Sequence, residues 1–162
     1  MLNLYGEEIS ESGYVKGNYG TNQKKSGDAF ENLMTNTLRQ KYPDKFIATQ
    51  HKILGSEIRS KKTKKLRKKR YKVDILFNYD TVISAKNQST GGTTEQKIMY
   101  ELYAIEDMFE TNPHLKHAYI VYAGEGFKIF DEEFAWIPAF KRAIERLPWI
   151  KIMSYDDFMK EI

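Results

Sequence analysis

The sequence predicts an α/β domain, a mixed sheet flanked by helices. Three observations point there: helical apolar spacing from Ser26, three consecutive strand-like runs over residues 46–86, and a second amphipathic helix leading into a β-like run over 117–123. The order is α-β-β-β-α-β, followed by a further α-β-α segment.

Residues 1–25 are rich in Gly, Asn, Tyr and Lys without a period, and read as an irregular N-terminal arm. Phe30, Leu33, Met34, Thr37 and Leu38 then share one helix face, with Ser26 or Asp28 as cap and Pro43 as stop. Residues 46–54 alternate partly and read as a strand. The runs 73–77 and 81–86, separated by Asn78-Tyr79-Asp80, read as a β-hairpin. Gly91-Gly92-Thr93 is a break, and Thr93 or Thr94 caps a helix whose stripe is Ile98, Leu102, Ile105 and Phe109. Asn112-Pro113 stops it. The run 117–123 ends at Gly124. Residues 131–146 read as helical with an interruption at Pro138, residues 149–153 as a last strand, and Ser154 as the cap of a terminal helix. Phe134, Trp136, Phe140 and Trp149 are expected in the core. No repeat or linker divides residues 26–162, so a single domain is expected there, with a basic loop or hairpin at 59–72.

A 162-residue chain with 41% hydrophobic and 14% aromatic residues is long and apolar enough to build a core. It has no run of the ~18 apolar residues that a membrane span needs, and residues 1–8 lack the pattern of a signal peptide. A cytoplasmic protein with no membrane partner is expected. The absence of cysteine excludes disulfides, thiolate metal sites and a Cys nucleophile. His51, His114 and His117 lack metal-ligand spacing, and no phosphate-binding loop motif occurs, so no nucleotide cofactor is expected.

The net charge of +4 hides a division. Residues 59–72 read RSKKTKKLRKKRYK, ten Lys/Arg with no acid, which leaves the rest of the chain at 16 basic against 22 acidic residues. Such a segment on an acidic body points to a polyanion. Lys61, Lys62, Lys64, Lys65, Arg67, Lys68, Lys69, Arg70 and Lys72 are the candidate phosphate contacts. A solvated loop or a localisation signal is the plain alternative.

Asp74 lies between Val73 and Ile75 in an apolar strand, where a carboxylate is costly unless paired or metal-bound. The hairpin sets Lys86 beside it. A structural ion pair and a catalytic pair are both compatible with these two residues alone.

The longer pattern decides more. With Asp74 on the second strand and Ser84-Ala85-Lys86-Asn87-Gln88 on the third, followed by Gly91-Gly92-Thr93-Thr94-Glu95-Gln96-Lys97, residues 26–124 resemble the PD-(D/E)XK nuclease superfamily. The motifs S-x-K-x-Q and G-T-x-E-Q-K are similar to those of a restriction-endonuclease branch. The resemblance implies a restriction-endonuclease-like αβββαβ core and a Mg²⁺-dependent endonuclease of double-stranded DNA, with Mn²⁺ as a possible substitute. A type II restriction enzyme acting as a homodimer is the leading form. A structure-specific nuclease such as a Holliday-junction resolvase, or an inactive DNA-binding protein on the same fold, are the rivals.

By the same resemblance Asp74 is the central metal ligand and Lys86 the group at the attacking water. Glu31 on the first helix is an outer ligand, the Ala85 carbonyl an additional oxygen, and Gln88 a residue that positions Lys86 or touches DNA. The pattern departs at Ser84, where an acid is expected. Glu95, nine residues after Lys86, and Glu101, fifteen after, are the candidates for a displaced acid. They lie about 240° apart on the helix, and Glu95, in the first turn, is the expected one. Gln96 and Tyr100, at i and i+4, are similar to a Q-x-x-x-Y pair found near DNA; an ordinary polar helix face is the alternative.

Overall fold

In a computed structural model, which describes residues 21–89 and 93–162, the apolar spacing around Phe30 lies on helix α1 (Thr21–Lys41). The helix starts ahead of Ser26, so residues 21–25 are helical rather than irregular, and Ser26 and Asp28 lie within it instead of capping it. The arm expected over residues 1–20 and the Gly91-Gly92 break fall outside the described residues. Three strands follow: β1 (Ile47–Arg59), β2 (Leu66–Phe77) and β3 (Thr81–Asn87). Helix α2 (Thr94–Thr111) leads to β4 (His117–Ala123), and α3 (Lys128–Glu132) and α4 (Pro138–Glu145) lead to β5 (Ile150–Ser154) and α5 (Tyr155–Glu161).

The spatial order of the sheet is β1-β2-β3-β4-β5. The first three strands pair antiparallel, whereas β3, β4 and β5 pair parallel, with α2 as the crossover that a parallel connection needs. Both faces are covered. Phe30, Met34 and Leu38 of α1 and Phe158 of α5 pack against Ile75, Ile83 and Val121. Ile98, Leu102 and Ile105 of α2, with Phe140 of α4, pack on the other face against Val82 and Ile120. This explains why β3 and β4 read as continuous apolar runs.

The β2–β3 turn places Asn78 and Tyr79 at φ 51° and 64°. Asn tolerates that region, and Tyr79 is held by stacking on Phe46 at 4.0 Å. At the C-terminal end, Pro138 begins α4, where its missing N–H is harmless. Ser154 caps α5 by accepting from the Asp157 N–H at 3.2 Å. Phe140 is buried and Trp149 stacks on Phe109, but Trp136 is 65% exposed and leaves the expected core. Its Nε1 donates to the Asp131 carbonyl, and Lys141 lies over its ring.

The basic run is mostly strand. β1 and β2 are longer than their apolar stretches, and Glu57, Ile58 and Arg59 pair with Lys68, Arg67 and Leu66 in a two-stranded ribbon closed over residues 60–65. A bulge between Leu54 and Glu57 marks its base. There the Ser56 N–H and the Tyr71 hydroxyl both donate to the Asp107 carboxylate on α2, at 3.1 and 2.6 Å to Oδ2. Asn112 Nδ2 donates to the Leu54 carbonyl at 2.7 Å. Gly55 is required by the same contact, because a Cβ would stand 2.4 Å from Asp107 Oδ2 and from the Tyr71 ring.

Candidate active site

Strands β2 and β3 pair only as far as Ile75↔Ile83 and then separate. Asp74 takes over at the fork. Its Oδ2 accepts from the Ala85 N–H at 2.7 Å, in place of a ladder carbonyl, and from the Ser84 hydroxyl at 3.5 Å. Ser84 is 2% exposed, so the residue standing at the expected acid position is an internal support for Asp74. Lys86, two residues along β3, brings its Nζ to 3.9 Å from Asp74 Oδ2.

The same ammonium lies 3.2 Å from Glu101 Oε2. Glu101, not the expected Glu95, is therefore the α2 acid that meets Lys86. The reason is helical phase. Thr94, Ile98 and Ile105 are buried and define the sheet-facing stripe, and Glu101 falls on it, whereas Glu95 is offset by one residue. Among the described residues no ion pair joins Glu95 to Lys86.

The carboxylates sense each other. Burial, reinforced by the charge of Glu101, raises Asp74 above the usual carboxylate range despite the opposing pull of Lys86 and the Ala85 N–H. Glu31 of α1 is also raised, first by burial, with Asp74 adding repulsion and with a Gln50 hydrogen bond and Lys72 opposing. Gln50 Nε2 donates to Glu31 at 2.7 Å. Glu31, Asp74 and Glu101 thus belong to one acidic neighbourhood reached from α1, β2 and α2.

Gln88 lies just past the end of β3 beside the site. Its Oε1 accepts from Lys97 Nζ at 2.6 Å, and its backbone is tied to β4 by the Gln88 N–H to the Ala123 carbonyl and the Gly126 N–H to the Gln88 carbonyl. Lys97 was missed in the sequence. Partial desolvation and the nearby charge of Lys86 lower it below the usual lysine range. Its signal was present, because Lys97 and Glu101 are an i,i+4 pair on one helix face. Lys86, Gln96, Lys97, Tyr100 and Glu101 line one open depression of about 480 Å³. The candidate DNA contacts Gln96 and Tyr100 thus border the Lys86 site. The basic candidates Lys61, Lys62, Lys64, Lys65, Arg67, Lys68, Lys69, Arg70 and Lys72 extend from it along the ribbon.

Residues 22–161 match the PD-(D/E)XK nuclease superfamily domain. The chain belongs to that superfamily. Neither a curated protein nor a solved structure matches it. The matched region takes in all five strands.

Nucleases of this superfamily generally use divalent metals. Among the described residues no group of three or more His, Asp or Glu side chains is gathered closely enough to hold an ion on its own. The donor set fits a hydrated hard cation, which needs only one or two carboxylates and fills its shell with water and phosphate oxygens. Asp74 and Glu101 are such a pair, and a cation beside them would offset the burial and, after it, the Glu101 repulsion that raise Asp74. No helix among the described residues is long and apolar enough to cross a membrane.

Proposed function

We propose that this nuclease domain is a Mg²⁺-dependent endonuclease of double-stranded DNA. The observation that carries the reading is the convergence of Asp74 and Glu101 on Lys86 at the fork of β2 and β3, on the strand that continues into the cationic ribbon.

Asp74 and Glu101 hold the metal, with the Ala85 carbonyl as an additional oxygen and Glu31 as an outer ligand. When bound, Mg²⁺ lowers the pKa of a coordinated water and neutralises charge on the phosphate. Lys86 orients the attacking water through its ammonium protons and offsets negative charge as the pentavalent phosphorus forms. Glu101 and Asp74 fix the direction of Lys86. Lys97 adds a second cation, pinned through Gln88. Ser84 and the Ala85 N–H hold the Asp74 carboxylate in place. The ribbon cations and the Gln96–Tyr100 face bind the DNA backbone.

We propose further that the enzyme is a cytoplasmic type II restriction endonuclease. With one site per chain, symmetric cutting of both strands calls for a homodimer.

The test is incubation of plasmid with protein and Mg²⁺, with products mapped by sequencing. Cleavage at a fixed symmetric sequence supports the restriction enzyme, and cleavage at branches alone supports a structure-specific nuclease. Lys86→Ala should abolish cleavage and leave DNA binding largely intact. Retained binding with no nicking by the unmodified protein in Mg²⁺ or Mn²⁺ overturns the enzyme reading.

A further inference from the structure

We infer that the β1–β2 ribbon is a major-groove arm that engages duplex DNA on one side of the cut, out to about eight base pairs. This rests on the DNA reading above and adds where the duplex lies and how much of it is needed.

The first support is geometric. Beyond the Gly55–Ser56 bulge, residues 57–59 and 66–68 form a ladder of two strands only, and residues 61–68 are all exposed. Among the described residues, the hydrogen bonds formed by residues 57–68 stay within the ribbon. A major groove about 12 Å wide admits a two-stranded ribbon in undeformed duplex, whereas a minor groove about half as wide takes one only when the duplex is opened and bent.

The second support is electrostatic. Residues 59–72 carry ten cations and no acid. Lys52 stands directly opposite Lys72, a repulsive pair, and only Lys68 faces an acid, Glu57. No ion pair among the described residues neutralises residues 61–72. A ribbon with ten cations and so few acids facing them is suited to an external polyanion.

The third support is continuity with the site. Lys72 is two residues from Asp74 on β2, and both act on Glu31, so the cationic strip begins at the acidic neighbourhood. Lys68, Arg70 and Lys72 alternate onto one face of β2, and Arg67, Lys69 and Tyr71 onto the other. Leu66 is eight residues from Asp74. At about 3.3 Å per residue the arm reaches about 26 Å, close to eight steps of duplex at about 3.4 Å each. The bonds of Tyr71 and Ser56 to Asp107 fix the arm's direction relative to α2.

The experiment uses the full chain carrying Lys86→Ala for binding, and the unmodified chain for cleavage. A tip variant replaces Lys61, Lys62, Lys64 and Lys65 with serine, and a second variant replaces Arg67 and Lys68 with serine, in case the first folds poorly by circular dichroism. Affinity is measured over a series of duplex lengths and salt concentrations, together with interference by methylation of guanine N7. The tip variant is expected to bind at least 10-fold more weakly and to lose about 3–4 units of the slope of log K against log salt, near 0.9 per phosphate contact. Its affinity should also stop depending on the outermost base pairs, and the N7 interference seen with Lys86→Ala should fall on the flank that each protomer's arm covers, symmetrically about the cut in a homodimer. Unchanged slope and length dependence in both variants, or interference confined to the minor groove, overturns the arm. Cleavage that persists with such a result leaves the nuclease reading standing. Absence of cleavage with the slope, length and N7 results intact overturns that reading and supports the arm.

Discussion

Glu101 Oε2 lies 3.2 Å from Lys86 Nζ, with both side chains largely withdrawn from solvent. The contact crosses from α2 to the end of β3 and gives the site a second carboxylate that Ser84 cannot supply. Glu101→Gln keeps the size of the side chain and removes its charge. It is expected to lower the cleavage rate by about 10²–10³, the scale of losing an electrostatic group aimed at the transition state. Glu95→Gln should change the rate less than tenfold. Plasmid nicking at saturating Mg²⁺ compares them directly, and a larger loss from Glu95→Gln would return the metal to the first turn of α2.

Asp74 predicts an exchange of stability for activity. Its folded pKa is raised above the ordinary value of 3.8, so the folded state binds its proton more tightly than the unfolded one. Stability is then greatest at low pH and falls as pH rises from 3.8 through the raised value. Metal-free Asp74→Asn should therefore have a higher Tm than the unmodified chain at pH 7, and a flatter dependence between pH 4 and 7. Divalent metal should reverse the order. At a hundredfold excess over Kd it adds about 2.7 kcal/mol to the unmodified protein only. Calorimetry with EDTA and with Mg²⁺ reads both effects, and an equal metal response in Asp74→Asn would remove Asp74 from the ligand set.

Much of this site was legible because its parts carry local signals. Asp74 broke an apolar strand, and the turn at 78–80 fixed the hairpin that sets it beside Lys86. Glu101 was legible too, as an acid within the buried stripe of Ile98 and Ile105, yet nearness along the chain favoured Glu95 over helical phase. The ribbon was harder. A run of cations has low strand propensity and no apolar alternation, and its β-structure depends on pairing across a distant turn. Its anchor, Asp107 with Tyr71 and Ser56, joins residues 36 and 51 positions apart. Neither local propensity nor motif spacing reports such a contact. The start of α1 before Ser26 is similar, since residues 21–25 have no apolar face to reveal them.

The anchor yields a prediction of its own. Asp107 loses solvent on burial, which alone would raise it, but the Tyr71 and Ser56 hydrogen bonds outweigh that and hold it below the ordinary range. A depressed carboxylate stabilises the fold above its unfolded pKa, and that contribution fades as pH falls through the folded value. Tyr71→Phe should cost about 1–2 kcal/mol at pH 7, and less in acid. Gly55→Ala forces a Cβ onto the same carboxylate and should cost about 2–3 kcal/mol. Urea unfolding at pH 7 and at pH values below 3.8 measures both, and a Tyr71→Phe loss that is the same in the two ranges would show the bond to be neutral in its energetics.

Gly124 sets the far end of the site. It leaves β4 at φ 97°, and a Cβ there would lie 2.2 Å from the Gln88 carbonyl oxygen. That carbonyl receives the Gly126 N–H at 2.9 Å, so the close approach is what ties the end of β3 to the turn after β4. Gly124→Ala combines left-handed strain with a backbone clash and is expected to destabilise the domain by roughly 2–4 kcal/mol. It should also shift Gln88, and through it Lys97, away from the depression. The expected signature is a rise in KM for DNA in the fraction that remains folded, together with a loss of salt dependence smaller than that of the ribbon-tip variant. A destabilised protein with unchanged KM would confine Gly124 to the fold and separate the β3 terminus from DNA binding.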